Sequence, residues 1–253
     1  MRTLPFIKMH GLGNDYIYVD CFSPQTAQII SKTDLTDLAR RVSDRHRGIG
    51  SDGLVLILPS TAADAQMRIF NADGSEAKMC GNAARCIGKY LYESGQCGMK
   101  MTLETLSGIK QIAIQTEDEK VTLVTVNMGK TIGNPHKVFF VERPNELDSF
   151  FEHLCTDSQY ADLRANTNIE CAYVFNRQTI RMRVHERGSG ETMACGTGAC
   201  ATAVEAMDKG LTDHEVHVLM PGGEISVYRD ERGDIFMTGE ATEVCRGDYI
   251  LEE

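Results

Sequence analysis

Residues 67–81 (MRIFNADGSEAKMCG) and 182–196 (MRVHERGSGETMACG) align without a gap at a constant offset of 115. The alignment sets Arg68 against Arg183, Glu76 against Glu191, Cys80 against Cys195 and Gly81 against Gly196. A repeat of this length within one chain predicts two copies of one structural unit. The openings of the copies match as well, GNDYIYV at 13–19 against GNPHKVFFV at 133–141. The expected boundary lies at Glu119–Lys120: residues 1–119 carry Cys80 and residues 120–242 carry Cys195. A final strand over 243–253 is expected to cross back and tie the halves together.

A chain of 253 residues suits one large domain or two of about 100–150 residues. Its net charge of −10 argues against nucleic acid, whose binding normally shows as a basic face. The N-terminal MRTLPFIKMHG lacks the apolar stretch of a signal peptide, and the longest aliphatic run, LVLILP, is only strand length. No membrane association is expected, and the location expected is cytoplasmic. Nine cysteines without an export signal then read as free thiols, not a disulfide scaffold. Neither the Cys80/Cys86 nor the Cys195/Cys200 spacing matches a zinc knuckle, so no metal is expected.

Each half reads as strands around helices. Leu35, Leu38, Ala39 and Val42 share one helical face behind a Thr33 cap, and RHRGIGSDG (45–53) is a glycine loop. Leu54–Leu58 and Met67–Phe70 are strands, and Asn82–Glu93 is a helix. A hairpin turns at Ser107-Gly108, and Val121–Val126 is a further strand. The second half repeats the plan with strands Lys137–Val141, Cys171–Phe175 and Arg181–Val184 and helices Glu146–Cys155 and Thr197–Lys209. Its closing strands lie near Glu215–Leu219, Ile225–Tyr228 and Ile235–Met237. The fold class is mixed α/β in two related domains.

Cys80 and Cys195 each precede a glycine and a helix, so each sulfur is expected at a helix N-terminus. Unpaired N–H groups there carry partial positive charge and bind a carboxylate. Such a setting is expected to lower a thiol pKa from about 8.5 toward neutrality. Two copies would present two thiols to one carboxylate. That pairing suits removal of an α-proton from one face of a carbon and its return on the other. N–H donors aimed at the charge that develops contribute on the order of 3 kcal/mol each. No lysine sits in the setting of an aldimine cofactor, so no cofactor is expected. A free cysteine is usually a small buried apolar residue, the reading given to Cys21, Cys86, Cys97, Cys155, Cys171, Cys200 and Cys245. A redox disulfide between Cys80 and Cys195 is the rival reading of the pair. Asn14, Asn71 and Asn134 read on their own as turn residues, His136 as a surface histidine and Glu186-Arg187 as a solvated pair. GSGETMACGTG lacks the Gly-Lys-Ser/Thr ending of a nucleotide loop.

KMHGLGNDYIYVD (8–20), RHRGIGSDG (45–53), RIFNADGSEAKMCGNAARC (68–86), GNPHKVFF (133–140) and ERGSGETMACGTGACA (186–201) together resemble the diaminopimelate epimerases. The resemblance touches nearly the whole chain. It implies a cofactor-independent two-base epimerase that interconverts LL- and meso-2,6-diaminopimelate in lysine and peptidoglycan precursor synthesis. It implies two pseudo-symmetric domains, each a curved mixed sheet around a central helix, with the active site in the cleft between domains. Cys80 and Cys195 would be the acid/base residues, tuned by His136 and Glu186. Gly81, Asn82, Gly196 and Thr197 would hold the reacting carboxylate. Asn14, Asn71, Asn134, Asn168, Glu186 and Arg187 would bind the rest of the substrate, with Arg187 on the distal carboxylate. A homodimer is compatible with the resemblance. The chain departs from the family pattern at Ala83, usually glycine, in the short Lys130–Ile132 segment, and at Cys245, where many members carry an aromatic. A racemase for another amino acid, such as histidine, is the nearest alternative.

Overall fold

A computed structural model describes residues 2–130, 133 and 135–251. The chain divides into two compact units, Met1–Val126 with Glu240–Glu253, and Asn127–Gly239. In chain order the first contains β1 (Arg2–Gly11), β2 (Asn14–Asp20), α1 (Pro24–Ile30), α2 (Leu35–Ser43), β3 (Gly53–Leu58) and β4 (Ala65–Asn71). It continues with β5 (Glu76–Ala77), α3 (Gly81–Glu93), β6 (Lys100–Thr105), β7 (Gly108–Glu117) and β8 (Lys120–Gly129), which runs past the boundary. The second unit contains β9 (His136–Val141), α4 (Leu147–Thr156), α5 (Ala161–Asn166), β10 (Asn168–Asn176), β11 (Thr179–Glu186) and β12 (Gly190–Thr192). It closes with α6 (Gly196–Asp208), β13 (Glu215–Met220), β14 (Gly223–Arg229) and β15 (Ile235–Gly239). The last strand, β16 (Thr242–Leu251), belongs to the first unit and pairs antiparallel along β1.

The repeat is visible strand by strand. In the first unit β2 lies parallel to β3, β3 antiparallel to β4, β4 parallel to β6, and β6, β7 and β8 follow antiparallel. In the second, β9, β10, β11, β13, β14 and β15 occur in the same order with the same directions, as far as each pairing is described. Register agrees to the residue: Ile69 faces Ala77 on the short β5, and Val184 faces Thr192 on the short β12. Both units keep the arginine–glutamate pair that crosses this turn, Arg68–Glu76 at 2.7 Å and Arg183–Glu191 at 2.8 Å.

Each unit packs an outer helix and a central helix against its strands. Leu38, Ala39 and Val42 of α2 pack with Leu54, Leu56 and Phe70. Leu147, Phe151 and Leu154 of α4 pack with Ile169 and Cys171. The cap of α2 differs from the expectation: helical turns begin at Leu35, so Asp34 is the N-cap and accepts from the N–H groups of Thr36 and Asp37. The Thr33 hydroxyl donates instead to the Ile29 carbonyl at 2.8 Å. Helices α1 and α5 lack a long apolar period and were not expected from the pattern. The central helix α3 presses closely on its sheet, because a Cβ on Gly88 would stand 2.7 Å from Ile112. Among the described residues no helix is long and apolar enough to cross a membrane.

Candidate functional site

In the first unit Cys80 is the N-cap of α3, held in extended backbone conformation. Its thiol lies 3.7 Å from Asn14 Oδ1, which also accepts from Asn82 Nδ2 at 3.1 Å. The turn before Asn14 places Leu12 and Gly13 at φ 57° and 86°, the two left-handed positions of a tight β1–β2 connection. Gly13 meets that demand at no steric cost, whereas Leu12 does not.

The Asn14 amide is oriented by a carboxylate. Asn14 Nδ2 donates to Asp52 Oδ2 at 2.9 Å, and the Asp15 N–H reaches the same oxygen at 3.1 Å. An ionised carboxylate only accepts, so the amide oxygen must face Cys80. The thiol is then the donor of that contact. Arg45 bridges Asp15 and Asp52 at 2.8 and 2.9 Å, and Lys8 meets Asp15 at 2.9 Å. Burial pushes the Asp15 carboxyl up, but hydrogen bonds and charge from Arg45 and Lys8 outweigh it and leave it below its ordinary value. Asp52 is shifted up, first by burial and then by the charge of Asp15. Asn71, at the end of β4, donates to the Ser75 hydroxyl at 3.0 Å.

In the second unit Cys195 is the N-cap of α6, with its sulfur 3.4 Å from both the Gly198 N–H, which donates to it, and the Thr197 hydroxyl. The sequence leads one to expect a thiol acidified by the helix start. The structure shows the opposite direction: burial, followed by the negative charge of Glu186, holds the Cys195 thiol well above its ordinary pKa. The Thr197 and Gly198 contacts lower it, but by less. Partial charges on a helix terminus do not offset removal of the thiolate from water together with a neighbouring carboxylate.

Glu186 accepts from the Thr192 hydroxyl at 2.5 Å. The neighbouring Arg187 N–H donates to Asn168 Oδ1 at 2.9 Å, which orients the buried Asn168 side chain. The Arg187 guanidinium is exposed and has no carboxylate partner among the described residues. His136, at the start of β9, lies 2.7 Å through Nδ1 from Glu170 Oε1 on β10, with side chains 5% and 0% exposed. Asn134 lies outside the described residues. The first unit thus brings together Asn14, Cys80, Gly81 and Asn82. The second brings together Asn168, Glu186, Arg187, Cys195, Gly196 and Thr197, and joins His136 to a partner.

Two residues escaped the sequence reading. Asp52 stands inside a motif whose glycines drew attention to the turn alone. Glu170 interrupts the buried run Ile169–Ala172, and a charge inside such a strand was the available signal. The seven other cysteines are free thiols, as are Cys80 and Cys195. Cys21, Cys86, Cys171 and Cys200 are buried, whereas Cys245 is exposed on β16.

A sequence model described as diaminopimelate epimerase matches residues 6–132 and again 129–244, once for each half of the repeat. The chain is 46% identical to a diaminopimelate epimerase of Parabacteroides distasonis over 97% of this chain and 98% of that protein. It is 40% identical to a diaminopimelate epimerase of Acetivibrio thermocellus over 98% and 99% of the two chains. Among solved structures, the fold is similar to a phenazine biosynthesis protein of the PhzF family from Bacillus anthracis (TM-score 0.70, 17% identity, 99% and 100% coverage). It is also similar to a probable proline racemase from Agrobacterium radiobacter (TM-score 0.72, 16% identity, 98% and 93% coverage).

Proposed function

Because the chain belongs to the diaminopimelate epimerase family, we propose that Cys80 and Cys195 are its two acid/base groups, each serving one face of the substrate α-carbon. The chain is an isomerase that interconverts LL- and meso-2,6-diaminopimelate, a step of lysine biosynthesis. One observation carries the assignment of the sulfurs: the two copies of the family pattern put a cysteine at the same place, the N-cap of the corresponding helix, α3 in one and α6 in the other, 115 residues apart.

In the proposed reaction one sulfur, as thiolate, takes the α-proton, and the bond pair passes into the substrate carboxylate. The opposite thiol then protonates the carbon, so the sulfurs exchange protonation states in each turnover. N–H groups at the starts of α3 and α6, beginning at Gly81-Asn82 and Gly196-Thr197, receive the charge that builds on the carboxylate. The raised pKa of Cys195 fits a group kept protonated until substrate arrives. A substrate ammonium near Glu186 would cancel the charge that disfavours the thiolate.

Asn14, Asn71, Asn134, Asn168 and Glu186 are proposed to bind the two amino-acid heads, with Arg187 on the distal carboxylate and His136 tuning a sulfur. The open guanidinium of Arg187 supports the choice of a dicarboxylic substrate. The reading includes a cytoplasmic enzyme that acts without pyridoxal phosphate or metal. The test is α-proton exchange from D₂O together with kcat/KM for diaminopimelate, lysine and histidine. Exchange into diaminopimelate that persists after chelation is expected. Histidine turnover equal to that of diaminopimelate would overturn the substrate assignment.

A further inference from the structure

The two halves agree in register, so a residue that breaks the agreement stands out. Leu54 faces Phe70 and Val55 faces Ile69 in the first unit, while Ile169 faces His185 and Glu170 faces Val184 in the second. Glu170 is therefore the counterpart of Val55, a fully buried apolar residue. The parallel pairs Ile17–Leu54 and Lys137–Ile169 likewise make His136 the counterpart of Tyr16. One half has Tyr16 and Val55 at these two places, and the other has a histidine–carboxylate pair. A carboxylate taken wholly out of water is costly, and burial shifts the Glu170 carboxyl up despite its histidine partner. The core of the first unit shows that the fold does not need it.

The pair is also placed at the reacting end of the second unit. Glu170 Oε1 stands 2.7 Å from the position a Cβ on Gly198 would occupy, in the first turn of α6, one turn from Cys195. Among the described residues, His136 Nε2 and Glu170 Oε2 are buried polar atoms with no hydrogen-bond partner. Among the described residues, Glu186 also acts on both Glu170 and Cys195 through its charge.

We infer that Glu170 is a positioning residue for the epimerisation: it keeps the proton of His136 on Nδ1 and presents Nε2 to the reacting groups. With Glu170 ionised, the carboxylate accepts but cannot donate, so the 2.7 Å contact takes Nδ1–H and leaves Nε2 as the nitrogen free to act. The inference rests on the proposed role of His136.

The test compares Glu170→Gln, His136→Asn and His136→Tyr/Glu170→Val in the enzyme. Glutamine can either accept or donate, so it no longer dictates the tautomer. Long-range ¹H–¹⁵N spectra, with the His136 signals assigned through His136→Asn, are expected to show Nδ1 protonated in the parent and a shift toward Nε2–H in Glu170→Gln. The kcat should fall roughly 10- to 10⁴-fold, the range met when a carboxylate orienting an imidazole is lost, with KM little changed. The melting temperature of the double variant His136→Tyr/Glu170→Val should equal or exceed the parent's, since it restores both members of the first half's pattern, whereas either change alone would strand a buried polar group. Parental kcat in Glu170→Gln beside an inactive His136→Asn would overturn this inference and leave the role of His136 standing. Parental kcat in His136→Asn would overturn both. An unchanged tautomer, or a double variant that melts below the parent, would assign the carboxylate a structural role and overturn the inference.

Discussion

Gly198→Ala separates the backbone role of a glycine from its role as empty space. Gly198 lies inside α6 and is not in the left-handed region, so alanine fits the backbone and should favour the helix by roughly 1 kcal/mol. The new methyl, however, would sit 2.7 Å from Glu170 Oε1 and 3.4 Å from both Cβ and Sγ of Cys195. Glu170 cannot swing into solvent, because its side chain is wholly buried and tied to His136 at 2.7 Å. It must retreat by several tenths of an ångström and lengthen that bond. Overpacking of this kind costs about 1–3 kcal/mol, which the helix gain partly offsets. The net loss of stability should be about 0–2 kcal/mol, measured by urea unfolding. Activity should suffer more, because the displaced groups flank Cys195: kcat/KM for diaminopimelate is expected to fall by roughly 10²-fold, the scale of loss for a small misplacement of reacting groups. The counterpart of Gly198 is Ala83, whose half carries Val55 where this one carries Glu170. Added to a His136→Tyr/Glu170→Val background, Gly198→Ala should therefore cost no stability, because that background matches the half that already carries Ala83. A single Gly198→Ala variant with parental kcat/KM would refute this account of the crowding.

Cys80→Ala and Cys195→Ala should each abolish epimerisation, because each base serves one face. Cys86→Ala and Cys200→Ala, both buried, should lower stability and leave a folded, active enzyme; loss of activity from either in a well-folded protein would contradict the assignment. Arg187→Ala should reduce kcat/KM for diaminopimelate but not for lysine, since only the former has a distal carboxylate to lose; equal losses on both would refute its role. Stability should fall on the alkaline side. Burial pushes the Cys21 and Cys171 thiols up to about 12 and Cys86 to about 11, so the native state holds protons that the unfolded chain releases. With more protons bound in the folded state, the contribution is present in full below the unfolded thiol value near 8.5 and declines as pH rises from there toward 11–12. Urea midpoints at pH 8 and pH 10 should differ in that direction, and by less in Cys171→Ala.

The repeat at offset 115 already told most of the architecture, because side-chain periodicity and turn residues are local properties written twice. It placed both central helices, the strand pairs around the ADGSE and RGSGE turns, and a cysteine at each helix start. The motifs carried the family, since a glycine before a helix and an amide after a turn are readable without coordinates. The polarity of the site was not readable. A helix start alone argues for an acidic thiol, but the Cys195 pKa depends on how much water is removed and on Glu186, which only packing decides. The orientation of Asn14 depends on Asp52, 38 residues away, and on the Arg45 and Lys8 charges gathered around Asp15. Glu170 is one letter in an apolar run until the β9–β10 pairing sets it against His136 and the first turn of α6 sets it beside Gly198. Sequence determined which residues repeat. Only the tertiary structure decided which of them meet, because burial and charge act through space between segments that the chain keeps far apart.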